Sequence, residues 1–390
     1  TLGYICIVAL NASALALMFK YVFPAILENL YMYQVAGWDV YFVEIIIATA
    51  ALALFGYFNV KGSSFSGRMQ FVFCIVMVSA VIAIFLMTGA QPEAGFSNVQ
   101  PSFPTETTAL AAILSIVAIA PWAFVGFDNV PQAAEEFNFS SKKAFSLIIL
   151  AIVFAAVLYC LMILATAMAR PWGELVEEGN LWGTGAAIQE LLGTTGLVIL
   201  VIALTMGIFT GLNGFIISTS RLLFAMSRAK FIPGVFSKLH PKYKTPYISV
   251  IFAVVVSMIA PWFGREALTW VVDMSSVGVT IAYFYTCYTA FIMFSWNESG
   301  EVNNSNKVVA PVKKVFAGLG MLSGIIFLGL LLIPGSPAFL GMESRIALIA
   351  WIILGLIFYF IKRKDLNAIP KEELSYLILG RKKAGVIKDK

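Results

Sequence analysis

One stretch of the sequence gathers residues that could do chemistry inside an otherwise apolar run: A-I-A-P-W-A-F-V-G-F-D-N-V-P-Q-A-A-E-E-F, residues 118–137. Pro121, Gly126 and Pro131 fall within eleven residues, and Asp128 follows Gly126-Phe127 while the apolar run continues. Proline removes a helix donor and glycine loosens the backbone, so a local unwinding is expected here. In lipid, the freed peptide groups must face protein or a water-filled cavity. Transporters use such discontinuous helices to present free N–H and C=O groups to a substrate at the bilayer midplane. An ordinary proline kink with Asp128 near the helix end fits the same residues, and the local pattern leaves both readings open. An intramembrane carboxylate is a functional-site hypothesis by default, its alternative being a satisfied helix-terminal group.

Other chemistries find few side chains to work with. The four cysteines, Cys6, Cys74, Cys160 and Cys287, all sit inside apolar runs, where thiols act as small packing residues and no disulfide framework is indicated. The single histidine, His240, lies in a basic loop, so histidine-based metal clusters and catalytic triads cannot be assembled from this chain. No G-x-S-x-G elbow is present either. The expectation is a protein that is not an enzyme and carries no cofactor.

The elements that must position Asp128 follow from composition. Of 390 residues 60% are hydrophobic and 12% charged, with a mean hydropathy of +0.89, whereas a soluble globule carries roughly 25% charged residues. A soluble enzyme or a nucleic-acid binder is excluded. Ten apolar stretches occur near 1–27, 40–58, 69–90, 108–131, 144–169, 194–225, 247–263, 270–296, 315–333 and 346–361. They are continuous and lack the alternating polarity of barrel strands, which predicts an all-α integral membrane protein of ten transmembrane helices. On this reading residues 1–363 form the membrane domain and 364–390 a basic tail.

Charge sorts by side. Connections after even-numbered spans, with the tail, hold 21 Lys and Arg; those after odd-numbered spans hold 3, namely Arg170, Arg265 and Arg345. The positive-inside rule then places both chain ends in the cytoplasm of a multi-pass cell (inner) membrane protein. Lys362-Arg363-Lys364 and Arg381-Lys382-Lys383 could touch anionic membrane lipid. Thr1 is not an initiator methionine and the first apolar run has no polar flank, which suggests a segment upstream.

Three groups of residues resemble the amino acid-polyamine-organocation (APC) superfamily of permeases. The first is Trp122, Phe124, Gly126, Phe127 and Asp128 followed by Ala134-Glu135-Glu136, similar to the family's sixth helix. The second is Arg221-Leu-Leu-Phe-Ala-Met-Ser-Arg228 followed by Phe231-Ile-Pro233, His240-Pro241 and Thr245-Pro246, similar to the end of its eighth helix; Ala229-Lys230 stands where an acidic-Gly pair is usual. The third is Asn59-Val-Lys61-Gly62 with Ser66-Gly67-Arg68 and Gln70. In this register the ten spans correspond to helices three to twelve of a twelve-helix, inverted-repeat (5+5) fold, without its first two helices.

The resemblance implies transport of an amino acid by alternating access, with symport or exchange left open. It implies that Trp122 gates the site, that the backbone of Ala123, Phe124, Val125 and Gly126 accepts the substrate amine, and that Asp128 joins the gating network. Phe215, Ser275 and Ser276 fall at substrate-lining positions, and Ser218 and Thr219 at oxygen ligands for sodium; helix packing is the other reading for each. Coupling to sodium or protons is implied, although Met77 stands where proton-coupled members often carry lysine. Asn11 could face the cavity, although its register is too loose to assign it, whereas Glu44, Asp273 and Lys20 read as structural. A polyamine transporter of the same fold, a channel and a non-transporting scaffold are the alternatives, and the oligomeric state is left open.

Overall fold

The computed structural model describes residues 1–104, 107–132, 140–296, 309–367, 369–370 and 373. The Ala134-Glu135-Glu136 motif and Arg381, Lys382 and Lys383 lie outside them. Among the described residues the chain runs α1 (Leu2–Val22), α2 (Pro24–Leu27), β1 (Tyr31–Val35), β2 (Trp38–Tyr41), α3 (Phe42–Lys61), α4 (Ser63–Gly89), α5 (Ala109–Ala123), α6 (Asn129–Gln132), α7 (Ser141–Ala169), α8 (Trp172–Glu177), α9 (Gly183–Arg228), α10 (Tyr247–Ser257), α11 (Glu266–Trp296), α12 (Val309–Leu332) and α13 (Met342–Asn367). Eight of these helices are long and apolar enough to cross a membrane, and α5 and the segment Tyr247–Phe263 are shorter apolar helices.

Local chemistry sets several boundaries. The Thr108 hydroxyl accepts from the Ala111 N–H at 3.3 Å to start α5, and the Ser140 hydroxyl accepts from the Lys143 N–H to start α7. Helix α9 begins eleven residues before its expected apolar stretch and bends at Gly193, whose φ of 64° and ψ of −159° no ordinary helical residue adopts. The hairpin β1–β2 has no counterpart in the sequence reading, which saw only a connection between spans. It closes through Ala36 and Gly37, both at positive φ, and a Tyr31–Tyr41 ring contact at 5.9 Å. Positive φ at both central residues matches the twist of paired strands, so two residues suffice to close the loop.

The central packing unit is α1, buried along most of its length, whereas α7 presents its apolar face outward. The largest cluster of buried residues joins α1, α3, α9 and α10 through Val8, Leu15, Leu52, Phe55, Leu212 and Val250. Small residues let backbones approach. A Cβ on Gly278 of α11 would lie 3.2 Å from the Gly3 backbone nitrogen, and the Ser275 hydroxyl donates to the Gly3 carbonyl at 3.1 Å. On another face of α1, Asn11 donates to the Ile7 carbonyl and lies so close to Gly211 of α9 that a Cβ there would fall 2.6 Å from its side-chain oxygen. In membranes such small-residue contacts supply the packing that hydrophobicity cannot.

Candidate functional site

Between α5 and α6 the helix is interrupted. Pro121 cannot donate to Val117, and Pro131 cannot donate to Phe127. The chain turns through short steps instead: the Val125 N–H bonds the Trp122 carbonyl at 3.1 Å, the Asn129 N–H bonds the Gly126 carbonyl at 3.1 Å, and the Val130 N–H bonds the Phe127 carbonyl at 3.3 Å. Gly126 carries a φ of 134°, which a side chain rarely adopts, so glycine is required at this turn.

Asp128 ties the break to the rest of the molecule. Its Oδ1 accepts the Gly126 N–H at 3.0 Å, folding the turn back on itself, and its Oδ2 accepts the Tyr4 hydroxyl of α1 at 2.5 Å. Tyr283 of α11 packs against Phe127 in a tilted pair with ring centroids 5.5 Å apart. Its hydroxyl is buried without a hydrogen-bond partner. Tyrosines from two helices, Tyr4 through its hydroxyl and Tyr283 through its ring, therefore meet the point where a third helix is broken.

An aromatic floor lies beside this latch. Phe215 of α9 packs against Tyr4 with centroids 5.7 Å apart, and a Cβ on Gly126 would meet its ring at 3.8 Å. Trp122 and Val125 pack against the same cluster. Phe124 turns the other way, edge-on to Tyr159 of α7 at 5.6 Å, and the Tyr159 hydroxyl donates to the Ala123 carbonyl at 2.5 Å. One of the backbone acceptors expected to meet a substrate amine thus already has a donor. Tyr159 and Met77 also line a largely apolar cavity of about 650 Å³ among α4, α7 and α9.

The other expected site residues lie apart from the latch. Ser275 spends its hydroxyl on Gly3, and Ser276 donates to Val272 within its own helix at 2.8 Å. Both are fully buried, Ser275 in the seam between α1 and α11. Ser218 and Thr219 are buried one turn beyond Phe215, and the Thr219 hydroxyl has no hydrogen-bond partner. Glu44 pairs with Lys20 at 2.6 Å near the hairpin, where Lys20 also donates to the Asp39 carbonyl at 3.1 Å; Asp273 accepts from Ser344 at 2.7 Å. These are fixed structural pairs.

Sequence reasoning passed over Tyr4, Tyr159 and Tyr283. The available signal was a tyrosine inside an apolar run, since a buried phenol usually finds a partner for its hydroxyl. It also missed the extent of an amide network toward the Lys61 end of the bundle. Asn59 of α3 donates to Asn213 of α9 at 3.2 Å, Asn213 donates to Gln70 of α4 at 3.0 Å, and Gln70 donates to the Thr210 carbonyl at 3.3 Å.

Comparison with known proteins adds an independent line. Residues 1–361 match a family model described as "Amino acid permease". The chain is 24% identical to the branched-chain amino acid permease BcaP of Bacillus subtilis over 329 residues, 82% of this chain and 64% of that protein. It is 25% identical to the methylthioribose transporter of the same organism over 300 residues, 76% of this chain and 60% of that protein. A serine/threonine exchanger, SteT, also of B. subtilis, is 21% identical over 83% of this chain and 74% of its own length. The chain thus spans less than two thirds of the length of the first two relatives.

Proposed function

The chain belongs to the amino acid permease family, a family of transporters and not of enzymes, and from that premise we propose that it moves a small amino acid across a cell membrane by alternating access. In this reading α5 with α6 counts as one crossing and Tyr247–Phe263 as another. That makes ten crossings, corresponding to helices three to twelve of an inverted-repeat fold. The end carrying Lys61, Arg228 and Lys244 faces the cytoplasm, as the loop charges require.

The observation that carries the reading is the interruption at 124–128, where Gly126 at positive φ and Asp128 hold a broken helix against α1. A broken helix supplies unpaired backbone groups to a substrate and a hinge for opening, both of which alternating access needs. Trp122 covers the bound amino acid, the backbone carbonyls of Phe124 and Val125 meet its amine, and Phe215 forms the floor. Release of Asp128 from Tyr4 frees the hinge. Ser275 and Ser276 hold α11 beside the site. The partnerless hydroxyl of Thr219 supports Ser218 and Thr219 as oxygen donors to a coupling sodium ion; proton coupling or exchange is the alternative drive.

The test is uptake of a radiolabelled amino acid panel by the full-length native protein in proteoliposomes, with and without sodium and proton gradients, beside Trp122→Ala. Saturable uptake that collapses in the variant supports the proposal, and the gradient dependence names the coupling ion. A folded protein that neither takes up nor exchanges any amino acid or polyamine rejects it.

A further inference from the structure

The loop between α9 and α10, at the end of the bundle assigned above to the cytoplasm, is clasped by the single histidine of the sequence. His240 Nδ1 accepts the backbone N–H groups of Lys242 and Tyr243 at 3.2 and 3.3 Å. Its own backbone closes the same turn: the His240 N–H donates to the Thr245 carbonyl at 2.8 Å, and the Lys244 N–H donates to the His240 carbonyl at 2.9 Å. The half-buried ring lies between two others, Tyr243 at a centroid distance of 4.8 Å and Tyr247 of α10 edge-on at 5.7 Å. From this turn the loop is tied to three helices. The Thr245 hydroxyl donates to the Val60 carbonyl of α3 at 2.6 Å, the Ser227 hydroxyl of α9 to the Pro233 carbonyl at 2.8 Å, and the Ser249 hydroxyl of α10 to the Phe236 carbonyl at 2.9 Å.

Only a neutral imidazole can make this clasp. With its proton on Nε2 it offers Nδ1 as an acceptor; a second proton turns Nδ1 into a donor facing two other donors. Both bonds are then lost. The turn they hold is under load, since Lys244 sits at φ 57°, a conformation that a residue other than glycine keeps only where its surroundings impose it. The ionisable groups around His240 offer a charged ring no counter-charge. On the loop are the Tyr243 phenol and the ammonium groups of Lys242, 5.4 Å from the Tyr243 ring centroid, and of Lys244. On α10 is the Tyr247 phenol, and on α3 Lys61, beside Val60, leans over Tyr57 at 4.6 Å. On α9 Arg221 and Arg228 line one cavity with Tyr243 and Lys244. All are phenols or cations, and among the described residues no carboxylate is bonded to His240.

We propose that His240 is a pH-sensitive clasp, closed while its ring is neutral and released when the ring is protonated, that holds the loop between α9 and α10 against α3. Imidazole is the side chain whose charge changes between about pH 5 and pH 8. The clasp holds at the upper end of that range and is lost as the pH falls through it. Release frees the turn at 240–245 and with it the Thr245–Val60 bond, the link that carries the change from the loop into α3. It also loosens one wall of the cavity of about 560 Å³ that Tyr243, Lys244 and Thr245 line. The device goes beyond the transport reading and does not depend on which substrate is moved.

The experiment is amide hydrogen exchange across residues 240–247 of the full-length native protein at about pH 7.5 and about pH 5.5, which bracket the ordinary imidazole range. Rates are expressed as protection factors, so that the intrinsic pH dependence of exchange cancels. In the wild type, protection of the loop should fall about tenfold on acidification, the size of one or two lost hydrogen bonds, while that of α1 stays unchanged. His240→Asn places an amide oxygen, which does not titrate, near the position of Nδ1 and should keep the loop protected at both pH values. His240→Phe keeps a ring between Tyr243 and Tyr247 but has no acceptor, and its loop should exchange fast at both. Equal wild-type protection at the two pH values overturns the proposal. A fall in His240→Asn as large as that in the wild type overturns it too, and so does wild-type protection in His240→Phe at the higher pH.

Discussion

Two neighbouring residues of α1 meet their surroundings in opposite ways. Gly3 is pressed against Gly278, Ser275 and Val279 of α11, and a Cβ on Gly278 would meet its backbone directly. Tyr4, the next residue, reaches across to Asp128 with one hydroxyl at 2.5 Å. The first contact is close-packed around a single buried hydrogen bond, so opening it forfeits many small dispersion terms along with that bond. The second is a single directed bond between groups that can each find another partner. The proposed alternating access needs both kinds, a seam that stays shut and a latch that opens, and the two candidates for them are adjacent residues.

Breaking the seam carries the largest expected effect. In Gly278→Val the Cβ would start 3.2 Å from the Gly3 nitrogen and the two methyl groups would reach further into backbone. Overpacking of this kind costs typically 1–3 kcal/mol, and here about 3 because backbone cannot rotate aside. The variant should melt well below the wild type in a detergent thermal-shift assay and lose uptake with its fold. Melting at the wild-type temperature would show that α1 and α11 are not locked together at Gly3.

Breaking the latch should cost less stability and touch function more selectively. Tyr4→Phe keeps the ring against Phe215 and removes only the donor to Asp128. The loss in stability should be about 1 kcal/mol, as for a single hydrogen bond. On the proposal that this bond is made only while the break is closed, the same energy shifts the open-closed equilibrium, and a shift of about 1 kcal/mol is roughly fivefold in population. The maximal uptake rate should fall about fivefold with little change in melting temperature. An unchanged rate would show that the Tyr4–Asp128 bond does not distinguish the two states.

The contrast also explains what could be read from the sequence. The break was legible because its causes are local: Pro121, Gly126, Asp128 and Pro131 act on their own backbone. The latch was not, because Tyr4 stands 124 residues from Asp128 and a tyrosine in an apolar helix looks like any core aromatic. Ser275 shows the converse. Its register suggested a substrate contact, yet register cannot tell that the Gly3 carbonyl lies within reach of the same hydroxyl. The hairpin escaped for a related reason, since its Ala36–Gly37 turn has no proline and only one glycine, and its strands are too short to show a period.

A third polar tie sharpens the comparison by being exposed. At the end of α7, Arg170 bonds Glu178 and pairs with Glu174 at 3.3 Å and Glu190 at 2.9 Å, joining α7, α8 and the part of α9 that precedes the Gly193 bend. The Arg170 guanidinium, with help from Asn180, holds the Glu178 carboxyl below the usual carboxylate range. A carboxylate whose folded-state pKa is depressed stabilises the fold above its unfolded value, near 4.3, and that contribution is lost as the pH falls through the folded value. Between pH 7 and 5 the tie should hold; below about pH 4 it should loosen, and added salt should weaken it at any pH because the pair faces water. Amide exchange in α8 and residues 183–192 should therefore rise on acidification in the wild type. In Glu178→Gln it should already be raised at pH 7 and respond less to acid. If the wild type and Glu178→Gln show the same exchange at pH 7, the tie through Glu178 holds nothing that its neighbours do not already hold, and the separation of exposed ties from the buried latch must be drawn elsewhere.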